Sequence, residues 1–237
     1  MKSQAIIKAG QPLEAIEAET PTPQGSEVLI EMQNCGVCHS DLHLHDGYFD
    51  LGGGNKMPVK AVENPPFVMG HEVQGKVVAM GPDAKGVKIG DEYAVYPWIG
   101  CGECGLCKSE KEHLCTRPRG IGTSVAGGYS DHVLVPDAKY LIEIGDLDGG
   151  LAGCYMCSGI TAYSAIRKLE EVMAGGPYMI LGLGGVGMMA LQVALALYDE
   201  LPIVADIDEE KLEVARSLGV KHAYNLKDPA AFKQIKK

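Results

Sequence analysis

No stretch of this chain is apolar for long enough to span a bilayer. The longest such run, Met188 to Tyr198, is broken by Gln192 and falls well short of the roughly 20 residues a helical span needs. The N-terminus lacks the apolar core of a secretory signal. No run of lysine and arginine offers a surface for phosphate backbones, and a formal charge of -10 argues further against nucleic acid as a partner. There is no internal repeat and no low-complexity linker. What is left is a soluble globular protein of the cytoplasm, without membrane association, where thiols stay reduced. Eight cysteines in such a chain point to metal ligation or catalysis more than to a disulfide framework. The 237 residues allow one large domain or two small ones.

The first part reads as β-rich. Strand-like runs recur at Gln4–Lys8, Glu27–Gln33, Glu72–Met80, Glu92–Tyr96 and His132–Pro136, separated by Gly, Pro and Asp. Gly52, Gly53 and Gly54 in a row are a loop signal, and the long segment Gly47–Pro66 around them is expected to shape a cleft or an interface. The pattern changes near residue 150. A helix over Ser158–Lys168 is followed by an apolar strand at Tyr178–Leu183, a long apolar helix ending near Tyr198, a strand at Ile203–Ala205, a helix at Glu209–Leu218 stopped by Gly219, and the start of a third strand at Ala223–Leu226. Strand, helix, strand, helix, strand with short connections is a parallel α/β unit. The fold class is therefore α/β plus β, with a β-rich domain over residues 1–152 and an α/β domain over residues 153–237.

Cys101, Cys104, Cys107 and Cys115 form C-x2-C-x2-C-x7-C within a lobe at about residues 98–119. Four thiolates this close in sequence can surround one tetrahedral zinc with no open position, which makes a structural site. Free structural cysteines rarely cluster so tightly. A zinc ribbon for nucleic acid would need basic surroundings. Lys108, Lys111, Arg117 and Arg119 are near, but the chain as a whole is acidic.

The segment Gly182-Leu183-Gly184-Gly185-Val186-Gly187 fits G-x-G-x-x-G. The pattern alone is weak in a chain with 31 glycines, but here an apolar strand precedes it and an apolar helix follows. Asp206, 24 positions after Gly182, ends the next strand, the place for a carboxylate that binds adenosine ribose hydroxyls. Such glycines let the backbone approach a pyrophosphate at a helix N-terminus. A carboxylate at Asp206 would repel a 2′-phosphate, so NAD is favoured over NADP.

Three further elements are weak singly: Cys35-Gly36-Val37-Cys38-His39-Ser40-Asp41, then Gly70-His71-Glu72, then Cys154-Tyr155-Met156-Cys157-Ser158-Gly159. Spacing alone lets Cys35 or Cys154 serve as a ligand as readily as Cys38 or Cys157. A lone histidine is more often a packed or surface residue than a ligand, and a lone cysteine more often a small hydrophobe.

Taken together and in this order, these phrases and the cysteine lobe resemble the zinc-dependent medium-chain alcohol dehydrogenases, along essentially the whole chain. The resemblance implies a GroES-like catalytic domain followed by part of a Rossmann domain, with substrate and nicotinamide meeting in the cleft between them. It implies two zinc ions per chain, one structural and one catalytic. Cys38, His71 and Cys157 would hold the catalytic ion and leave a fourth position for the substrate oxygen. Asp41 would orient His71, and Glu72 would lie behind the metal. Ser40 would touch the substrate oxygen, and His43, with His45 as a neighbour that confuses the assignment, would end a proton relay. His39 would contact the cofactor phosphates and Lys211 the ribose, although a solvated lysine paired with a nearby acid is as good an account of Lys211. Trp98 and Phe49 would wall the pocket or simply pack in the core.

The implied reaction is reversible oxidation of a small alcohol to an aldehyde or ketone with NAD. A polyol or formaldehyde dehydrogenase, and a zinc-binding fragment without turnover, are the alternatives. Members of the family run on well past this length and assemble as homo-oligomers, dimers or tetramers. On that comparison this chain lacks the end of the Rossmann sheet, and the strand at Tyr178–Leu183 would become an exposed apolar edge.

Overall fold

A computed structural model describes residues 1–173 and 176–235. The chain forms two compact units, Met1–Cys157 and Ser158–Lys237. Among the described residues no helix is long and apolar enough to cross a membrane.

The first unit is built on antiparallel sheet. Its strands are β1 (Lys2–Ile6), β2 (Glu14–Glu17), β3 (Val28–Gly36), β4 (Tyr48–Asp50), β5 (Lys56–Pro58), β6 (Phe67–Val68), β7 (Glu72–Met80), β8 (Glu92–Val95), β9 (His132–Val135) and β10 (Leu141–Glu143). Five of them form one sheet in the order β10-β8-β7-β3-β9, and β2-β1-β6 form a second. Alternating apolar residues explain the main sheet. Val28, Ile30, Val73, Val77 and Val133 are almost wholly buried in one aliphatic core that Tyr93 and Tyr140 complete.

Two features of this sheet aim the chain at the site. The pairing of β3 with β7 shifts register between Met32 and Asn34, a bulge that turns the end of β3. The buried amide of Gln74 supports the bulge, accepting from Asn34 Nδ2 at 2.8 Å and donating to Gln33 Oε1 at 2.8 Å. Beyond the bulge Gly36 pairs with Glu72, and a β-carbon at Gly36 would collide with the Glu72 carboxylate. Only glycine lets the strands close there.

Helix α1 (His39–Asp46) follows directly and ends on Gly47 in the left-handed region. The segment around the three glycines carries regular structure. It holds the β4–β5 hairpin, with Gly52, Gly53 and Gly54 all at positive φ in its turn, and a short 3-10 turn at Lys60–Glu63. Helices α2 (Gly105–Lys108) and α3 (Gly149–Cys154) complete the unit. Helix α3 packs on β3 and β7, so residues 153–157 go with the first unit in packing. A π-helical turn, Tyr155–Gly159, follows α3.

The second unit begins with α4 (Ile160–Met173), which starts later and runs further than the helix read from the sequence because the π turn takes up the preceding residues. Strands β11 (Met179–Leu181), β12 (Ile203–Asp206) and β13 (Ala223–Asn225) are parallel and adjacent in that order. Helices α5 (Gly185–Leu197), α6 (Glu209–Ser217) and α7 (Ala231–Ile235) connect and follow them. Val204, Leu191, Leu212 and Ala194 are fully buried between helices and sheet. Strand β11 stands at the edge, with Leu181 71% exposed.

Candidate metal centres and dinucleotide turn

Cys38 stands at the N-cap of α1, and its backbone N–H donates to Asp41 Oδ2 at 2.9 Å, so the carboxylate closes the first turn from within. His71 lies immediately before β7, and Cys157 lies in the π turn after α3. These three elements converge. Cys157 Sγ is 3.8 Å from Cys38 Sγ and 3.3 Å from His71 Nε2, and a Glu72 carboxylate oxygen joins the same group. His71, Glu72, Asp41 and Cys157 are buried.

The thiols and the imidazole of this group hold their protons unequally. Hydrogen bonds from Cys157 and then His71 pull the Cys38 thiol down to about 3. Cys157 is pushed strongly up, first by Cys38 and then by burial. Two adjacent thiols of this kind cannot both ionise unless a positive ion lies between them. Burial works to lower His71, but Asp41 and Cys38 outweigh it and raise the imidazole to about 9. Among the described residues, Asp41 Oδ1 and His71 Nδ1 are the buried side-chain polar atoms without a hydrogen-bond partner, and they face each other at 3.4 Å. That is the arrangement in which a carboxylate fixes the tautomer of a metal-binding imidazole.

Separations support the same conclusion. Tetrahedral zinc with bonds of about 2.3 Å to sulfur and 2.0–2.1 Å to nitrogen spaces its ligands ~3.8 Å apart for two sulfurs and ~3.6 Å for sulfur and nitrogen. The distances above are close to these values.

The four-cysteine lobe meets the same test. Sulfur separations are 3.5 Å for Cys104–Cys107, 3.8 Å for Cys104–Cys115 and 3.9 Å for Cys101–Cys107. Cys115 Sγ accepts backbone N–H bonds from Cys101 and Arg117, each at 3.3 Å. Backbone donors at Glu103 and Cys104 lower Cys101 to about 6, whereas burial drives Cys107 up to about 12. Glu112, unmarked in the sequence reading, ties the lobe down. It accepts from Tyr140 Oη at 2.5 Å, Lys139 Nζ at 2.6 Å and the Gly100 N–H at 3.3 Å. Its side-chain partners lie 27 and 28 residues away in the chain and the Gly100 N–H 12 away, so no local pattern marks it.

Of the remaining residues around α1, Ser40 is half-buried and bonds to Cys38. The His43 ring packs on His39 at 4.8 Å and on Phe49 at 4.9 Å. His45 bonds to the Gln11 carbonyl oxygen at 2.8 Å. Cys35 and Cys154 lie outside both metal-type groups, and burial raises the thiols to about 12 and about 11.

In the second unit the turn from β11 to α5 carries Gly182, Leu183, Gly184, Gly185, Val186 and Gly187. A β-carbon at Gly187 would collide with the Gly182 carbonyl oxygen, whereas Gly184 and Gly185 open onto free space at the helix N-terminus. Asp206, buried at the end of β12, accepts from the backbone N–H of Leu183 and from Asp208 N at 2.9 Å. Those backbone bonds, Leu183 foremost, hold its carboxyl below the usual range. Lys211 pairs with Asp208 at 3.3 Å.

Residues 24–146 match the family model described as the alcohol dehydrogenase GroES-like domain. An NAD-dependent alcohol dehydrogenase of Sulfurisphaera tokodaii is 36% identical over 238 aligned positions, which cover all of this chain and 67% of that protein. The chain belongs to the medium-chain alcohol dehydrogenase family. An alcohol dehydrogenase of Geobacillus stearothermophilus is 36% identical over 240 positions, again covering the whole chain and 67% of that protein. Among solved structures, the D-arabinose dehydrogenase of Sulfolobus solfataricus matches with a TM-score of 0.82 at 27% identity, covering 100% of this chain and 71% of that one. The chain thus spans about two thirds of the length of the curated relatives it matches.

Proposed function

We propose that this chain forms the metal-binding and adenosine-binding part of a zinc-dependent, NAD-linked alcohol dehydrogenase. The convergence of Cys38, His71 and Cys157 carries the reading, because three ligand atoms from distant segments meet at tetrahedral spacing. In this reading Cys38, His71 and Cys157 hold a catalytic zinc, Asp41 orients His71, and Glu72 stands behind. Cys101, Cys104, Cys107 and Cys115 hold a second, structural zinc. Bound at the first group, zinc supplies a Lewis acid that polarises an alcohol or carbonyl oxygen.

The chain's own residues do the rest. The Ser40 hydroxyl, which can both donate and accept, takes the proton of the substrate hydroxyl. His43, half-exposed on the same helix, passes it to solvent. Gly184 and Gly185 leave room for a pyrophosphate at the α5 N-terminus; the family resemblance, not a contact, gives His39 its part as a phosphate donor. Asp206 accepts from the ribose hydroxyls and repels a 2′-phosphate, which selects NAD. Lys211 borders the same ribose. The products are an aldehyde or a ketone and NADH. Two clusters of metal-type thiols suit the reducing cytoplasm, and the family resemblance adds a homo-oligomer for the full-length protein.

The test is zinc-dependent NADH formation by the full-length protein with primary and secondary alcohols. Turnover that survives complete removal of zinc contradicts the reading.

A further inference from the structure

Trp98 is the only tryptophan of the chain and lies three residues before Cys101, at the root of the cysteine lobe. Its indole Nε1–H donates to the carbonyl oxygen of Met156 at 3.2 Å. Its ring centroid is 6.5 Å from that of His71. Met156 belongs to the π turn Tyr155–Gly159 and immediately precedes Cys157. Residues of an α-helix follow one another at 3.6 per turn, so a single wider turn resets the direction in which every later side chain points. The direction of Cys157 therefore depends on this turn keeping its shape.

The other end of the bond is well fixed. The Pro97 carbonyl oxygen accepts from Ile99 N at 3.0 Å and Ile121 N at 3.2 Å, and the Ile99 carbonyl oxygen accepts from Arg119 N at 2.8 Å. Although the tryptophan as a whole is 37% exposed, its N–H is directed at the peptide beside Cys157.

We infer that Trp98 is a positioning residue for Cys157: its indole N–H holds the Met156 carbonyl, and so keeps Cys157 Sγ within reach of His71 Nε2 and Cys38 Sγ. The inference rests on the reading that these three side chains share a metal ion. It assigns the effect to the N–H, whereas a wall of a substrate pocket would need only the ring.

Cobalt(II) bound to the full-length protein reads this directly, since thiolate-to-cobalt absorbance reports ligand geometry. The part of the signal that vanishes in Cys38→Ser belongs to the Cys38 group. Trp98→Phe keeps a flat aromatic ring and removes the donor. Loss of one hydrogen bond predicts an affinity for cobalt at this group about three- to tenfold weaker, with a shifted thiolate band. Cobalt in the four-cysteine lobe should bind as before. Equal affinity and an equal spectrum in Trp98→Phe overturn the inference while leaving the metal reading intact. Failure of the unaltered protein to take up cobalt at the Cys38 group overturns both.

Should Trp98→Phe not fold, the unaltered protein still decides. The Trp98 indole N–H, identified by its nuclear Overhauser contacts to the Met156–Cys157 turn, gives a nuclear magnetic resonance signal whose exchange with solvent should be slow and slow further when zinc is added. Exchange at the rate of free indole, indifferent to zinc, overturns the inference.

Discussion

His71 Nε2 and Cys157 Sγ lie 3.3 Å apart although 86 residues separate them in the chain. One comes from the start of a β-strand and the other from a π turn. Their approach brings two buried donor atoms of a metal-binding type together.

The proposed reading predicts two zinc ions per chain. Elemental analysis should give two for the unaltered protein and one each for Cys157→Ser and Cys104→Ser. Cys104→Ser should also lower the melting temperature by roughly 6–12 °C, for a loss of about 3 kcal/mol, because the lobe has little apolar core of its own. A stoichiometry of one or fewer in cleanly purified unaltered protein contradicts both sets of ligands.

The two helix α1 residues should separate in kinetics. Ser40→Ala in the full-length protein should lower kcat about 100-fold, while His43→Ala lowers it only several-fold, since solvent can replace the outer member of a relay. Near-normal turnover in Ser40→Ala would place the proton path elsewhere.

Asp206 has two roles to test. Asp206→Gly should narrow the preference for NAD over NADP about tenfold in direct binding of the two nucleotides, for a charge conflict of about 1.4 kcal/mol. Equal affinity of the unaltered protein for both nucleotides contradicts the assignment.

The same carboxyl predicts a pH effect. Its backbone bonds, from Leu183 above all, depress it in the folded chain. The stability it contributes is therefore present above the unfolded carboxyl pKa of about 4 and lost as pH falls through the lower folded value. Asp206→Asn should flatten the acid limb of stability against pH below about 4. An acid limb identical to that of the unaltered protein rules out this contribution.

Glu112 should anchor the lobe through Tyr140 and Lys139. Glu112→Ala leaves the largely buried Tyr140 hydroxyl without its acceptor and should cost about 1–3 kcal/mol in urea unfolding. Glu112→Gln, which still accepts from Tyr140, should recover part of that. Equal stability of all three proteins would assign Glu112 no anchoring part.

What could be read from residues alone follows from how local each signal is. Cys101 to Cys115 announce themselves because all four thiols fall within one short lobe. Gly182 to Gly187 are legible because the apolar strand before them and the apolar helix after them frame the turn. Cys38 against Cys35, and Cys157 against Cys154, are different. Spacing treats each pair alike, and only the N-cap of α1 and the π turn separate them in space. Helix α1 is nearly as polar on its inner as on its outer side, with Asp41 and Leu44 its buried residues, so periodicity does not reveal it. The β4–β5 hairpin hides behind three successive glycines. Glu112 and the Trp98–Met156 bond depend on partners far off in the chain, and no local pattern encodes them.

The most direct test of the account follows the hydride itself. Full-length, zinc-loaded protein is given NAD and an alcohol deuterated at the carbinol carbon, and the mass of the NADH formed is measured. The account predicts one deuterium per NADH, with formation abolished in Cys157→Ser. NADH without deuterium, or undiminished formation in Cys157→Ser, would contradict it.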